Sequence, residues 1–441
     1  MRFPHILFPF AAVVLPFSFV HPCPARAQEA ISPAATSATI AALRKEVAAR
    51  YVLPDTAAAL DKALAGAEAR GEFAGLTGEA LAQKATEVMH GVYEDGHLSL
   101  MYDPAQSALL AAHPMDDDGE QGDMPAEAVR QVALNNAGVL KLELLQGNIR
   151  YMDYRGFMWG TPEAEKAMET AMEFLRGGDA IVIDLRRNGG GDADAVAALA
   201  SYFLPAGTDL MRFEMRGHPG MPTKTHATPF SLAGKPVYVL TSHFTFSAAE
   251  EFADHVSAFG FGKLVGENTG GGGFQNTFVA IPGGYVASIS IGRAVHAKTG
   301  KDWQTVGIAP AIAVEADKAL LVAQAEAMDG LAKTGPENER WAAGRLAAFY
   351  RAQVSPIDPG HALAGYAGTY GDRVLAIDPA GNLTTSRGGR PPVTLVAVGE
   401  DTFVPESSPM QHFRFVTEGG RAVALEVDQP GGLPQRTDRK G

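Results

Sequence analysis

The chain has 441 residues, 46% of them hydrophobic, a formal net charge of −13 and one cysteine. That length allows two or three domains with sizeable cores. The acidic balance argues against nucleic acid or an anionic membrane as the main partner, and a lone Cys23 excludes a disulfide framework or a cysteine metal site.

Residues 1–27 read as a secretory signal peptide. Arg2 supplies a charged start, Ile6 to Val20 an apolar stretch broken by Pro9 and Pro16, and Ala25-Arg26-Ala27 a small-residue cleavage site. Cleavage there removes Cys23 and predicts a periplasmic or secreted protein without a thiol. No other apolar run approaches a membrane span.

Residues 28–103 predict a small helical domain. Ser37 caps a helix with Ile40, Leu43, Val47 and Tyr51 on one face, Asp55 caps a second with Leu60 and Leu64, and Thr77 caps a third with Leu81, Ala85, Val88 and Val92. The third runs into Glu94-Asp95-Gly96-His97-Leu98. Residues 104–130, with the run Met115 to Asp123, read as an acidic surface linker too short for an independent domain. No PDZ domain is therefore expected.

Residues 131–315 predict an α/β core. Two alternating strands, 139–145 and 148–154, are followed by Thr161-Pro162, a helix start whose buried face is Ala164, Met168, Ala171, Met172 and Leu175. A strand at 180–185 ends in Asn188-Gly189-Gly190-Gly191. Another, Val237 to Leu240, runs through Thr245-Phe246-Ser247 into a helix packing on Phe252, Val256 and Phe259. Ser247 is then either a helix cap or a nucleophile facing the free N–H groups of a helix start. A third strand ends at Gly266 before Gly270 to Gly273. A hairpin turns at Pro282-Gly283-Gly284 within 276–295, and the core closes on Asp302-Trp303-Gln304. Residues 316–355 predict a helical connector with Trp341, Leu346 and Phe349 as anchors. Residues 356–441, short strands separated by Gly-rich turns, predict a small antiparallel barrel or sandwich.

The segments DLRRNGGG, TSHFTFSAAEEFA, VGENTGGG and DWQTVGIAP, in this order, resemble the C-terminal-processing (tail-specific) serine protease family. The branch they look most like is that of interphotoreceptor retinoid-binding protein and the tricorn core, over roughly residues 40–315. The resemblance implies a ClpP/crotonase-like core, a peptide or protein substrate and no cofactor. It implies Ser247 as nucleophile, with the N–H of Ala248 and a glycine N–H of the Asn188–Gly191 turn, Gly190 first, as oxyanion hole. It further implies His97, in DGHLSL, as general base, a role that suits a histidine.

Three positions depart from the family: 272, 304 and 311, the last an alanine where an aspartate is usual. The lysine of the Ser-Lys branch falls at Gly272, so the base must be a histidine: His97 first, with His243 and His296 behind it, and His255 read as a solvated helix residue. The glutamate that usually orients the histidine falls at Gln304, which can hold an imidazole by hydrogen bond but gives it no charge. Asp302 and Glu267 are substitutes, and Glu250 and Glu251 read as acids favoured by the helix dipole. Two readings follow: a secreted serine peptidase using Ser247, His97 and Gln304, or a non-catalytic protein holding a peptide or apolar ligand in the same cleft. The sequence does not specify an oligomeric state.

Overall fold

A computed structural model describes residues 32–76, 78–112, 124, 126–216, 218–428 and 432–441. The expected signal peptide, Thr77 and the acidic run 115–123 lie outside them. In chain order the elements are α1 (Pro33–Arg50), α2 (Pro54–Ala69), α3 (Gly78–His90), β1 (Ser99–Tyr102), α4 (Pro104–Ala112), α5 (Ala126–Leu134), β2 (Val139–Leu145), β3 (Ile149–Tyr154), α6 (Pro162–Arg176), β4 (Ala180–Asp184) and α7 (Ala193–Ser201). They continue with β5 (Asp209–Met215), β6 (His218–Lys224), β7 (Val237–Thr241), α8 (Ala248–Phe259), β8 (Lys263–Gly266), β9 (Phe274–Ile281), β10 (Tyr285–His296), β11 (Ile312–Ala313), α9 (Ala319–Thr334) and α10 (Glu337–Val354). Eight strands, β12 to β19, follow between Gly368 and Asp438.

The protein is a mixed α/β chain whose described residues divide into two compact units. The first comprises residues up to Leu142, Met152–Arg176 and Ile183–Ala313; the second comprises Glu143–Tyr151, Gly177–Val182 and Val314–Gly441. The sheet that carries the site has the order β11-β8-β7-β4-β3-β2, with β7, β8 and β11 parallel. β7 is buried at all five positions, as expected of a β-branched run inside a parallel sheet. A second sheet has the order β1-β10-β5-β6, with β9 paired to β10 across the expected hairpin.

The N-terminal helices do not form a core of their own. Ile40, Leu43, Leu60, Leu64 and Leu81 share one buried cluster with Ile281, Tyr285 and Ile289 of β9 and β10. Polar contacts reinforce this: Thr39 Oγ1 donates to Pro282 O at 3.0 Å and Val52 N–H to Ser290 O at 2.8 Å. Three short helices bury too little apolar surface to stand alone, so a strand from the core completes them. The first helix begins before Ser37, with Ser32 as its cap, and the Ser37 hydroxyl bonds Glu68 instead. The second begins at Pro54, which places Asp55 in its first turn rather than at the cap. Helices α4 and α5 occupy part of the stretch read as a linker.

In the second unit, α9 and α10 pack on each other and β12 to β19 form an antiparallel sheet in sequence order around Tyr366, Tyr370, Phe403, Phe413 and Phe415. Arg345 of α10 joins them by bonding Met410 O at 3.0 Å and the Asp428 carboxylate. Among these strands, Leu383–Arg387 was not visible in the sequence pattern, because Thr-Thr-Ser gives no apolar alternation.

Candidate active site

Ser247 stands at the junction of β7 and α8 with φ +56° and ψ −125°. A non-glycine residue there is strained, and such strain persists only where the surroundings over-determine it. The surroundings are visible. Phe246 N–H donates to Asn188 O at 3.0 Å, Thr245 Oγ1 to Leu185 O at 2.8 Å and Ser242 Oγ to Arg186 O at 2.6 Å, tying this turn to the one after β4. A Cβ on Gly190 (φ +107°) would lie 2.7 Å from Ser247 Cβ and 3.0 Å from Ala248 N, so only glycine allows that approach.

Glu250 holds the other side. Its Oε2 accepts from Ser247 N–H (2.9 Å) and Gly272 N–H (2.7 Å), and its Oε1 from Gly271 N–H (2.7 Å) and Thr269 Oγ1 (2.6 Å). Burial raises its pKa against these bonds, which lower it. Sequence reasoning read Glu250 only as an acid at a helix start; it is the clamp between the serine turn and the Gly270–Gly273 loop. Glu250→Gln keeps the shape but replaces one oxygen by an amide nitrogen that cannot accept, leaving two buried donors unpaired. The expected cost is about 3 kcal/mol, read in denaturant melts, with activity reduced alongside.

His97 is brought to the same cavity as Ser247. This cavity, of about 390 Å³, is lined among others by His97, Gly190, Gly191, Ser247, Ala248 and Glu251. The imidazole packs against the Phe246 ring at 4.7 Å between centroids, and its Nδ1 has no hydrogen-bond partner. No hydrogen bond joins it to Ser247. Burial lowers the His97 pKa to about 4, with the Asp95 charge pulling the other way. Asp95 is the acid beside the histidine: it accepts from the His97 backbone N–H at 3.0 Å, from Tyr51 Oη at 2.9 Å and from Ser290 Oγ at 2.7 Å. Ser288 Oγ in turn donates to His97 O.

Two expectations are corrected. Gln304 does not hold the histidine: its Oε1 accepts from the N–H groups of Gly273 (2.8 Å) and Phe274 (3.0 Å), and its Nε2 is buried without a partner. Its substitutes are engaged elsewhere, Asp302 with Arg293 and Glu267 3.3 Å from His243 Nδ1. The Gly190 N–H is likewise taken, donating to Asn188 Oδ1 at 2.9 Å. Phe157 binds Gly190 O and Asp192 N–H, so the Gly191 N–H between them points the other way and donates to no protein acceptor. The Ala248 N–H, at the first turn of α8, is also unused, as helix starts leave it.

The absence of a lysine at 272 has a steric reason. A Cβ on Gly272 would lie 2.3 Å from the Phe246 ring, so the space a lysine needs is filled by the aromatic that packs on His97. His255, read as solvated, is fully buried and bonds His296 at 3.1 Å. The signal was present: 252, 255, 256 and 259 form one helical face.

Residues 147–314 match the family model described as Peptidase family S41. That match covers less than half of the chain. The S41 segment contains Ser247, Gly190, Gly191 and Glu250, while His97 and Asp95 precede it. Solved structures similar to the chain include a photosystem II D1 C-terminal processing protease, at 15% identity over 65% of this chain and 94% of that one with a TM-score of 0.40. A putative peptidase from Parabacteroides merdae is 19% identical over 64% of this chain and 90% of its own, with a TM-score of 0.43. The tricorn protease is 13% identical over 72% of this chain and 37% of its own, with a TM-score of 0.39. Among the described residues, no helix is long and apolar enough to cross a membrane.

Proposed function

We propose that this protein is a periplasmic or secreted serine peptidase acting through an acyl-enzyme on a ClpP/crotonase-like core. The observation that carries the reading is Ser247 itself. It is held at a strained positive φ at the mouth of a helix, beside an unused Ala248 N–H and in one cavity with a histidine whose Nδ1 is unpartnered. The location rests on the residue pattern of 1–27.

In this mechanism the Ser247 hydroxyl adds to the carbonyl carbon of a peptide bond while His97 takes its proton. The N–H groups of Ala248 and Gly191 stabilise the oxyanion. The C–N bond breaks, His97 returns the proton to the leaving amine, and water, activated by the same histidine, hydrolyses the ester. With no carboxylate on the imidazole ring, the imidazolium gains only the through-space charge of Asp95, which predicts a slow enzyme. In the structure the serine and histidine are not hydrogen-bonded, a geometry that peptide binding tightens in many hydrolases.

The lack of a Ser247–His97 hydrogen bond is also what a non-catalytic peptide-binding protein on this scaffold would display. A fluorophosphonate probe separates the two. The peptidase labels at Ser247 and the Ser247→Ala protein does not, whereas failure of the intact protein to label favours the binding reading.

A further inference from the structure

One acid in the Ser247 cavity is left unused by acyl transfer. Glu251 follows Ser247 by one turn of α8, lines the cavity and is 3% exposed. Its Oε1 accepts no hydrogen bond, and His255 Nε2 lies 3.5 Å from it.

The histidines behind Glu251 are neutral holders rather than counter-ions. Lys298 N–H donates to His296 Nδ1 at 3.0 Å, so the His296 hydrogen is on Nε2. That hydrogen points to His255 Nδ1 at 3.1 Å, which leaves the His255 hydrogen on Nε2, facing Glu251. Burial lowers His255 to about 3 and His296 to about 4. The other groups facing Glu251 are acids. Asp194 and Asp192 come from the start of α7 and Asp254 from α8. Burial, then Asp194, holds the Glu251 carboxyl well above its ordinary range. Arg155, the cation lining the cavity, is engaged by Asp153. Among the described residues, no lysine or arginine pairs with Glu251.

The geometry points to Glu251 as the specificity-determining residue of this cavity, taking the lysine or arginine side chain of a peptide held across Ser247. The inference deepens the peptide-cleft reading above and rests on it. Burial favours the protonated form of the Glu251 carboxyl. An entering ammonium or guanidinium supplies the missing counter-charge; the proton leaves through the cavity to solvent and a buried ion pair forms. An apolar side chain of the same length leaves the carboxyl without a partner, the situation in which a buried polar group discriminates most strongly.

The test measures binding rather than turnover, in full-length Ser247→Ala protein. Two fluorescent peptide pools are compared by anisotropy, identical except for lysine or norleucine at one fixed position. The lysine pool should bind about tenfold more tightly or better at pH 8. Glu251→Gln should bring that ratio close to one without weakening the norleucine pool. A ratio near one with Glu251 present, a ratio unchanged by Glu251→Gln, or no binding of either pool overturns the assignment. If Glu251→Gln does not fold, the ratio is followed against pH with Glu251 in place. It should rise with pH, because ionisation of the carboxyl is required, and a flat ratio overturns the assignment. Failure of fluorophosphonate labelling would remove the peptidase reading while leaving this ratio measurable.

Discussion

Ser247→Ala is expected to reduce hydrolysis by about 10⁴-fold or more, to the level set by cleft binding and the oxyanion donors alone. The fold should be nearly unaffected. Alanine has the same steric limits at φ +56° as serine, and the backbone bonds from Ser247 N–H and Phe246 N–H remain. Its melting midpoint should lie within the equivalent of about 1 kcal/mol of the parent. Ser247→Gly makes the contrast sharper: it removes the hydroxyl and the strain together, so it should be inactive yet more stable by about 1 kcal/mol. Turnover that survives in purified Ser247→Ala protein would remove Ser247 from the mechanism.

His97→Ala should cost almost as much as Ser247→Ala, and the double variant little more, because a nucleophile and its base act as one unit. The pH profile makes the assignment specific. The competent form is the neutral imidazole, and burial favours that form, holding the pKa at about 4. The kcat/KM of the parent should therefore stay level as pH falls through about 6.5, where a free histidine would protonate. It should decline only with a midpoint near 4. Asp95→Asn removes the charge that raises this pKa, so the acid limb should move lower still while the maximum rate falls. An acid limb that His97→Ala leaves untouched would remove His97 from the role and turn attention to the exposed His243.

The backbone of the site was legible from residue order. A β-branched run meeting Thr-Phe-Ser before a helical apolar face places a serine at a strand–helix junction, and the glycines after β4 must approach it. Which donor each buried acceptor takes was not legible. Gln304 and Glu250 face several loop N–H groups whose positions depend on the closed loop, so the orienting role given to Gln304 failed on tertiary geometry, while Glu250 stands in the first turn of the helix as expected and its clamp role went unseen. The Gly190 amide was lost to Asn188, two residues away, a local side-chain turn that Asn commonly makes. Asp95 has the same two-residue relation to His97 and was open to the same reasoning. Helical spacing alone was enough to bury His255. The shared core of α1 to α3 with β10 was hidden because periodicity marks a face to be covered without naming what covers it.

The contacts of Asp95 with Ser290 and of His97 with Ser288 join points 195 and 191 residues apart along the chain. At a synthesis rate of roughly 5–20 residues per second, the N-terminal helices emerge many seconds before the strand that completes their core. Until then the contacts that β9 and β10 make with the helices and with His97 O cannot form. On the proposed mechanism, a nascent chain has no assembled Ser247–His97 pair until β10 has been made. The same long-range closure makes folding slow, since much of the loop entropy must be lost before the late contacts reward it.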